Sequence, residues 1–74
     1  MSKVPILKPH EVSAILKRLR FVEVRRRGSH RQYLHSDGRV TTLPFHQGRD
    51  ISPSLLRKIA KDINMTVDEF LEHR

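Results

Sequence analysis

The stretch FVEVRRRGSHRQYLHSDGRVTTL, running from Phe21 to Leu43, decides the fold. Its first part, Phe21 to Arg27, is rich in β-formers and ends at Gly28-Ser29, a turn signal. His30 to His35 reads as a second strand. Asp37-Gly38 predicts a two-residue hairpin turn of type I′, because glycine tolerates the positive φ that turn demands. Arg39 to Leu43 is then the returning strand, stopped by Pro44. The stretch predicts a three-stranded antiparallel meander.

Helical periods flank it on both sides. Upstream, after a short lead-in of seven residues, Pro9 suits a first helical turn, where its missing N–H costs little. Val12, Ile15, Leu16 and Leu19 follow at the i, i+3, i+4, i+7 spacing of one apolar face, predicting a helix over 9–19. Downstream, Phe45 to Ile51 reads as a loop. Ser52 and Pro53 open a second helix as N-cap and first residue, with Leu56, Ile59, Ala60 and Ile63 as its apolar face. Asn64 is a left-handed stop, and Thr66 to Glu69 fits a capping box for a short last helix holding Phe70 and Leu71. The expected fold is an α+β sandwich ordered α-β-β-β-α, with one extra helical turn. With no repeat, low-complexity tract or linker, residues 1–74 are expected to form one domain.

At 74 residues, of which 36 % are apolar, the core must be thin: a chain this short buries only about 60 % of its unfolded surface. One Tyr, three Phe and no Trp leave that core to Leu, Ile and Val. The absence of cysteine excludes disulfides and thiolate metal sites and suits a reducing cytoplasm. Apolar runs are too short for a membrane span or a signal-peptide core. No cofactor, small-molecule ligand or membrane contact is expected.

Charge narrows the class further. Residues 17–31 carry seven basic side chains against Glu23 alone, a net +6 of the whole chain's +7. Solubility does not require such clustering, which is the electrostatic footprint of a protein that binds a polyanion, nucleic acid first. A sheet covered on one face by helices leaves the other open. That face and the first hairpin turn are expected to offer Arg25, Arg26, Arg27 and Arg31 to phosphates, whose geometry the guanidinium fork matches.

The five histidines differ in setting. His10, His35 and His73 read as surface residues, and no pair has the spacing of a helical zinc site, so no metal centre is expected. His30 sits inside the arginine cluster. Arginines disfavour the imidazolium, and a neutral imidazole beside phosphate-binding groups suits general-base chemistry. RNA carries its own nucleophile, the 2′-OH, so a base, a proton donor and cationic stabilisation suffice for cleavage. A turn histidine bonding only locally is the plain alternative.

Two blocks turn the balance. Leu19-Arg20-Phe21, the basic strand and Gly28-Ser29-His30-Arg31-Gln32-Tyr33 resemble the G-S-H core of the HicA toxins of HicA/HicB toxin–antitoxin systems. Val40 to Gly48, a strand entering a P-x-H-x-G loop, resembles that family's second block, and the resemblance runs from Pro5 to Phe70. It implies a fold like the double-stranded RNA-binding domain and an mRNA interferase activity with His30 catalytic. Gly28 and Ser29 then shape the turn presenting His30, and His46 is a structural or auxiliary candidate. A HicB-type antitoxin masking the basic face is the implied partner, with mRNA as substrate. Gln32 and the Ser52-Pro53 helix start depart from the family pattern without touching the His30 motif. The alternative is a non-catalytic module for structured RNA using the same charges.

Overall fold

The structure, a computed structural model, describes residues 4–46 and 48–74; Met1 to Lys3 of the lead-in and Gln47 of the second block lie outside them. The elements are α1 (Pro9–Arg18), β1 (Val22–Arg27), β2 (His30–Leu34), β3 (Val40–Pro44), α2 (Pro53–Asp62) and α3 (Val67–Leu71). The strands form one antiparallel sheet in the order β1-β2-β3. This is the expected α+β layout.

Local chemistry explains most of the boundaries. The Glu11 carboxylate accepts from the Lys8 backbone N–H at 2.9 Å, closing the first turn of α1 behind Pro9. Ser52 caps α2 by accepting from Leu55 N–H, and Thr66 with Glu69 forms the reciprocal box of α3. Asn64 is the left-handed stop of α2, with φ 63°. The end of α1 has the same geometry on an unexpected residue. Arg20 takes φ 73°, and the Phe21 N–H turns back to Leu16 O at 2.9 Å. Phe21 is therefore buried as the first residue past the helix stop, and β1 starts only at Val22.

Two turns differ in kind. Arg27 pairs with His30 across Gly28-Ser29, and Gly28 alone has positive φ, 57°, as a type II′ turn requires. At the second hairpin the expected type I′ turn is not formed. His35 O accepts from Gly38 N–H while His35 N–H donates to Arg39 O, enclosing a three-residue loop with glycine left-handed at its end. Asp37 keeps negative φ, and its carboxylate accepts from the Arg39 backbone N–H and guanidinium. Pro44 is the last residue of β3 rather than the stop beyond it, opposite His30, where an edge strand tolerates the missing N–H.

The core lies on one side of the sheet, where β3 meets α1 and α2. Val12, Ile15 and Leu16 of α1 and Leu56, Ile59 and Ala60 of α2 are buried against Tyr33 and Leu43. Buried Ser13 and Tyr33 hydrogen-bond through their hydroxyls at 2.7 Å, fixing α1 to β2. The lead-in also contributes: Ile51 N–H donates to Leu7 O at 2.7 Å, and both side chains are buried. On the open face, Val22, Leu34 and Val40 stand opposite one another in register and stay exposed. No helix among the described residues is long and apolar enough to cross a membrane.

Candidate active site and nucleic-acid interface

A β-bulge decides which arginines stand beside His30. Simple alternation from Val22 would put Val24 and Arg26 on the open face. Instead the register shifts between Glu23 and Arg25, leaving Val24 unpaired and exposed. Arg25 is then opposite Gln32 and Arg27 opposite His30, on the open face. Arg25, Arg27, His30, Gln32 and Thr42 line one shallow cavity of about 220 Å³ there.

Arg26 and Arg31 face the helix side, so of the four arginines expected at the open face and the first hairpin turn, Arg25 and Arg27 are the two on the open face. Arg26 and Arg31 pair with each other across the strands and turn to Glu23, the one acid of the cluster. Arg26 Nη2 lies 3.2 Å from its carboxylate and Arg31 Nη1 3.8 Å. Arg31 also stands over the Phe45 ring, 3.6 Å from guanidinium carbon to ring centroid, a close cation–π contact. Sequence alternation could not reveal a bulge, because nothing at Val24 differs from an ordinary strand residue.

His30 is exposed at the first position of β2. The His46 ring stands nearly perpendicular to it, with centroids 5.8 Å apart. Ser29 joins the two. Its carbonyl accepts from Phe45 N–H at 2.6 Å, and its hydroxyl lies 3.1 Å from His46 Nδ1. Ser29 thus does more than shape the turn: it sets where His46 stands and, through Nδ1, which nitrogen of His46 is left for other partners. The signal available in the sequence was Pro44-Phe45-His46, a strand end whose next residues must pass the first hairpin turn.

The other histidines lie apart. His10 and His73 are exposed, as expected. His35 is not: its side chain is only 17 % exposed, packed 5.0 Å from the Phe21 ring, with Nδ1 3.1 Å from Asp37 N. The three-residue loop folds over it. Arg39 is likewise structural, donating to Ile63 O at 2.6 Å and to the Asp37 carboxylate. The Arg39 backbone N–H, followed by its guanidinium, holds the Asp37 carboxyl below the usual range. Among the described residues no three His, Asp or Glu side chains gather to hold a metal ion.

The structure is thus a small α-β-β-β-α sandwich with a histidine pair beside arginines at one end of its open sheet face. The model of the HicA toxins of bacterial toxin–antitoxin systems matches residues 9–65, from the start of α1 to just past α2. The match covers more than half of the chain, which belongs to the HicA toxin family. That membership makes it the toxin half of a toxin–antitoxin pair and implies a HicB antitoxin partner. No curated protein matches the chain.

Proposed function

We propose that this toxin is an endoribonuclease that cleaves mRNA in the cytoplasm, with His30 as the catalytic acid–base group. The observation that carries the reading is the placement of His30: exposed, flanked by Arg25 and Arg27 on the open face, and 5.8 Å from a second imidazole.

A phosphodiester lying over the His30–His46 pair has its negative charge met by Arg25 and Arg27. His30 takes the proton of the 2′-OH, whose oxygen attacks the adjacent phosphorus. The P–O5′ bond breaks, leaving a 2′,3′-cyclic phosphate. The departing oxygen needs a proton, and His46 is the group within reach to deliver it. Ser29, hydrogen-bonding at Nδ1, directs Nε2 of His46 to that task. Arg26 and Arg31, engaged by Glu23, support the strand and contact phosphate less directly. The antitoxin acts by covering the open face.

The experiment is incubation of the purified chain with end-labelled mRNA in EDTA, beside the same RNA carrying 2′-deoxy substitutions at the cut sites. Cleavage of the first and resistance of the second are expected. Tight binding without cleavage of any RNA would leave the non-catalytic module as the better account.

A further inference from the structure

A second concavity adjoins the same histidine pair, whose rings are 5.8 Å apart. It measures about 490 Å³, and His46 stands in its wall as His30 stands in the wall of the smaller one. The two cavities share no residue. Lys8, Arg31, Arg49 and Asp50 supply the charge of the larger, three cations against one carboxylate, a net +2. The Lys8–Asp50 pair spans 3.8 Å with both side chains more than half exposed, so it holds neither group firmly. Arg49 makes no salt bridge among the described residues.

Arg31 gives this cavity a particular chemistry. Its guanidinium carbon stands over the Phe45 ring, and the side chain, 28 % exposed, lines the cavity together with that ring, adding a planar cation to its wall. Nucleobases stack on arginine planes and aromatic rings in single-stranded RNA sites, while flanking cations follow the phosphates. An extended acidic peptide has use for the cations and none for a flat stacked surface.

We propose that this cavity is a nucleotide subsite for single-stranded RNA, taking the part of the substrate beyond the cleaved phosphate on the side away from Arg25 and Arg27. The inference rests on the ribonuclease reading and extends it: the strand passes over the His30–His46 pair, one flank in each cavity. Arg49 and Lys8 meet phosphate, and a base stacks on the Arg31–Phe45 pair.

The test is an NMR titration of the full chain with a fully 2′-O-methylated RNA hexamer, which has no free 2′-OH to attack phosphorus. Phe45 ring and Arg49 Nε resonances should shift together with those of His30 and Arg27. Arg49→Ala should weaken hexamer binding roughly fivefold and reduce the slope of log affinity against log salt by about 0.7, the value of one single-strand phosphate. Phe45→Leu keeps apolar volume but removes the ring, and should weaken binding roughly fivefold or more; thermal melting establishes that each variant is folded. Shifts confined to Arg25, Arg27 and His30, with unchanged affinity in folded Arg49→Ala, would overturn the subsite and leave the ribonuclease reading intact. Shifts at Phe45 and Arg49 with hexaglutamate but not with RNA would overturn it in favour of an acidic partner. Absence of any shift, with no cleavage of natural mRNA by the wild type, would remove both readings.

Discussion

His30 carries no packing duty, being exposed at the head of β2, so His30→Ala should cost under about 1 kcal/mol of stability. Loss of a general acid–base group should lower the cleavage rate about 10²–10⁴-fold, read from initial rates on labelled mRNA. His73→Ala should cleave as wild type, since that side chain is exposed at the far end of the chain. Full activity in highly purified His30→Ala protein would end the assignment. His46 is also exposed, and among the described residues its side chain has one hydrogen bond, to Ser29, so His46→Ala should stay folded and lose part of the rate. Backbone strain is a separate matter. Gly28 has open space around the missing Cβ, yet its φ of 57° makes Gly28→Ala cost about 1–2 kcal/mol. Arg20, at φ 73°, has the opposite sign: Arg20→Gly should stabilise the fold by about 1 kcal/mol in urea denaturation.

Elements are joined by a few polar bonds whose removal should be asymmetric. Ser13→Ala leaves the buried Tyr33 hydroxyl without a partner and should cost about 1–3 kcal/mol, whereas adding Tyr33→Phe should recover much of that loss. Equal costs for the single and double variants in denaturant titrations would show that the bond does not couple α1 to β2. Turn and cap carboxylates set the acid limit. The Thr66 backbone N–H, then its hydroxyl, hold Glu69 below its ordinary range, as Arg39 holds Asp37. A carboxyl lowered on folding stabilises above its unfolded value, about 4 for these groups, and that stability is lost as pH falls through the lower folded value. Melting temperature should therefore hold from pH 7 to about 5 and fall below about 4, less steeply in Glu69→Gln. What was legible in the sequence follows the same division. The helical faces at Val12, Ile15 and Leu16 and at Leu56, Ile59 and Ala60 were legible because burial imposes the 3.6 period. The bulge at Val24, the left-handed Arg20 and the cover over His35 were not, because each is set by tertiary fit rather than by residue type. His30 was legible as a candidate from its motif, while its placement beside His46 needed Phe45 to meet Ser29 across the sheet.

Across the whole molecule the open sheet face has two halves of different chemistry. One end holds Arg25, Arg27 and His30; the other holds Val22, Leu34 and Val40 in a cross-strand row, 62 %, 38 % and 39 % exposed. On the proposed ribonuclease reading the first half serves RNA, which has no use for a row of aliphatic side chains. An antitoxin does, because a protein interface needs an apolar centre, and charge alone adds mainly rate and orientation. The edge strand β1 does not itself invite a partner strand, since its bulge and arginines disrupt regular pairing. The aliphatic row is therefore expected to sit under the antitoxin, with acidic antitoxin groups over Arg25 and Arg27. Leu34→Glu, at the centre of the row, should weaken antitoxin binding tenfold or more, roughly the 1.4 kcal/mol or above of a buried anchor. Because Leu34 is already exposed, the change should alter stability by within about 0.5 kcal/mol. Cleavage of free mRNA should continue at the wild-type rate, so the variant should escape neutralisation in cells and in a reconstituted assay. Arg27→Ala should instead lower RNA affinity, antitoxin association rate and the salt dependence of both. Wild-type antitoxin affinity in Leu34→Glu, by calorimetry at physiological salt, would place the antitoxin elsewhere on the chain.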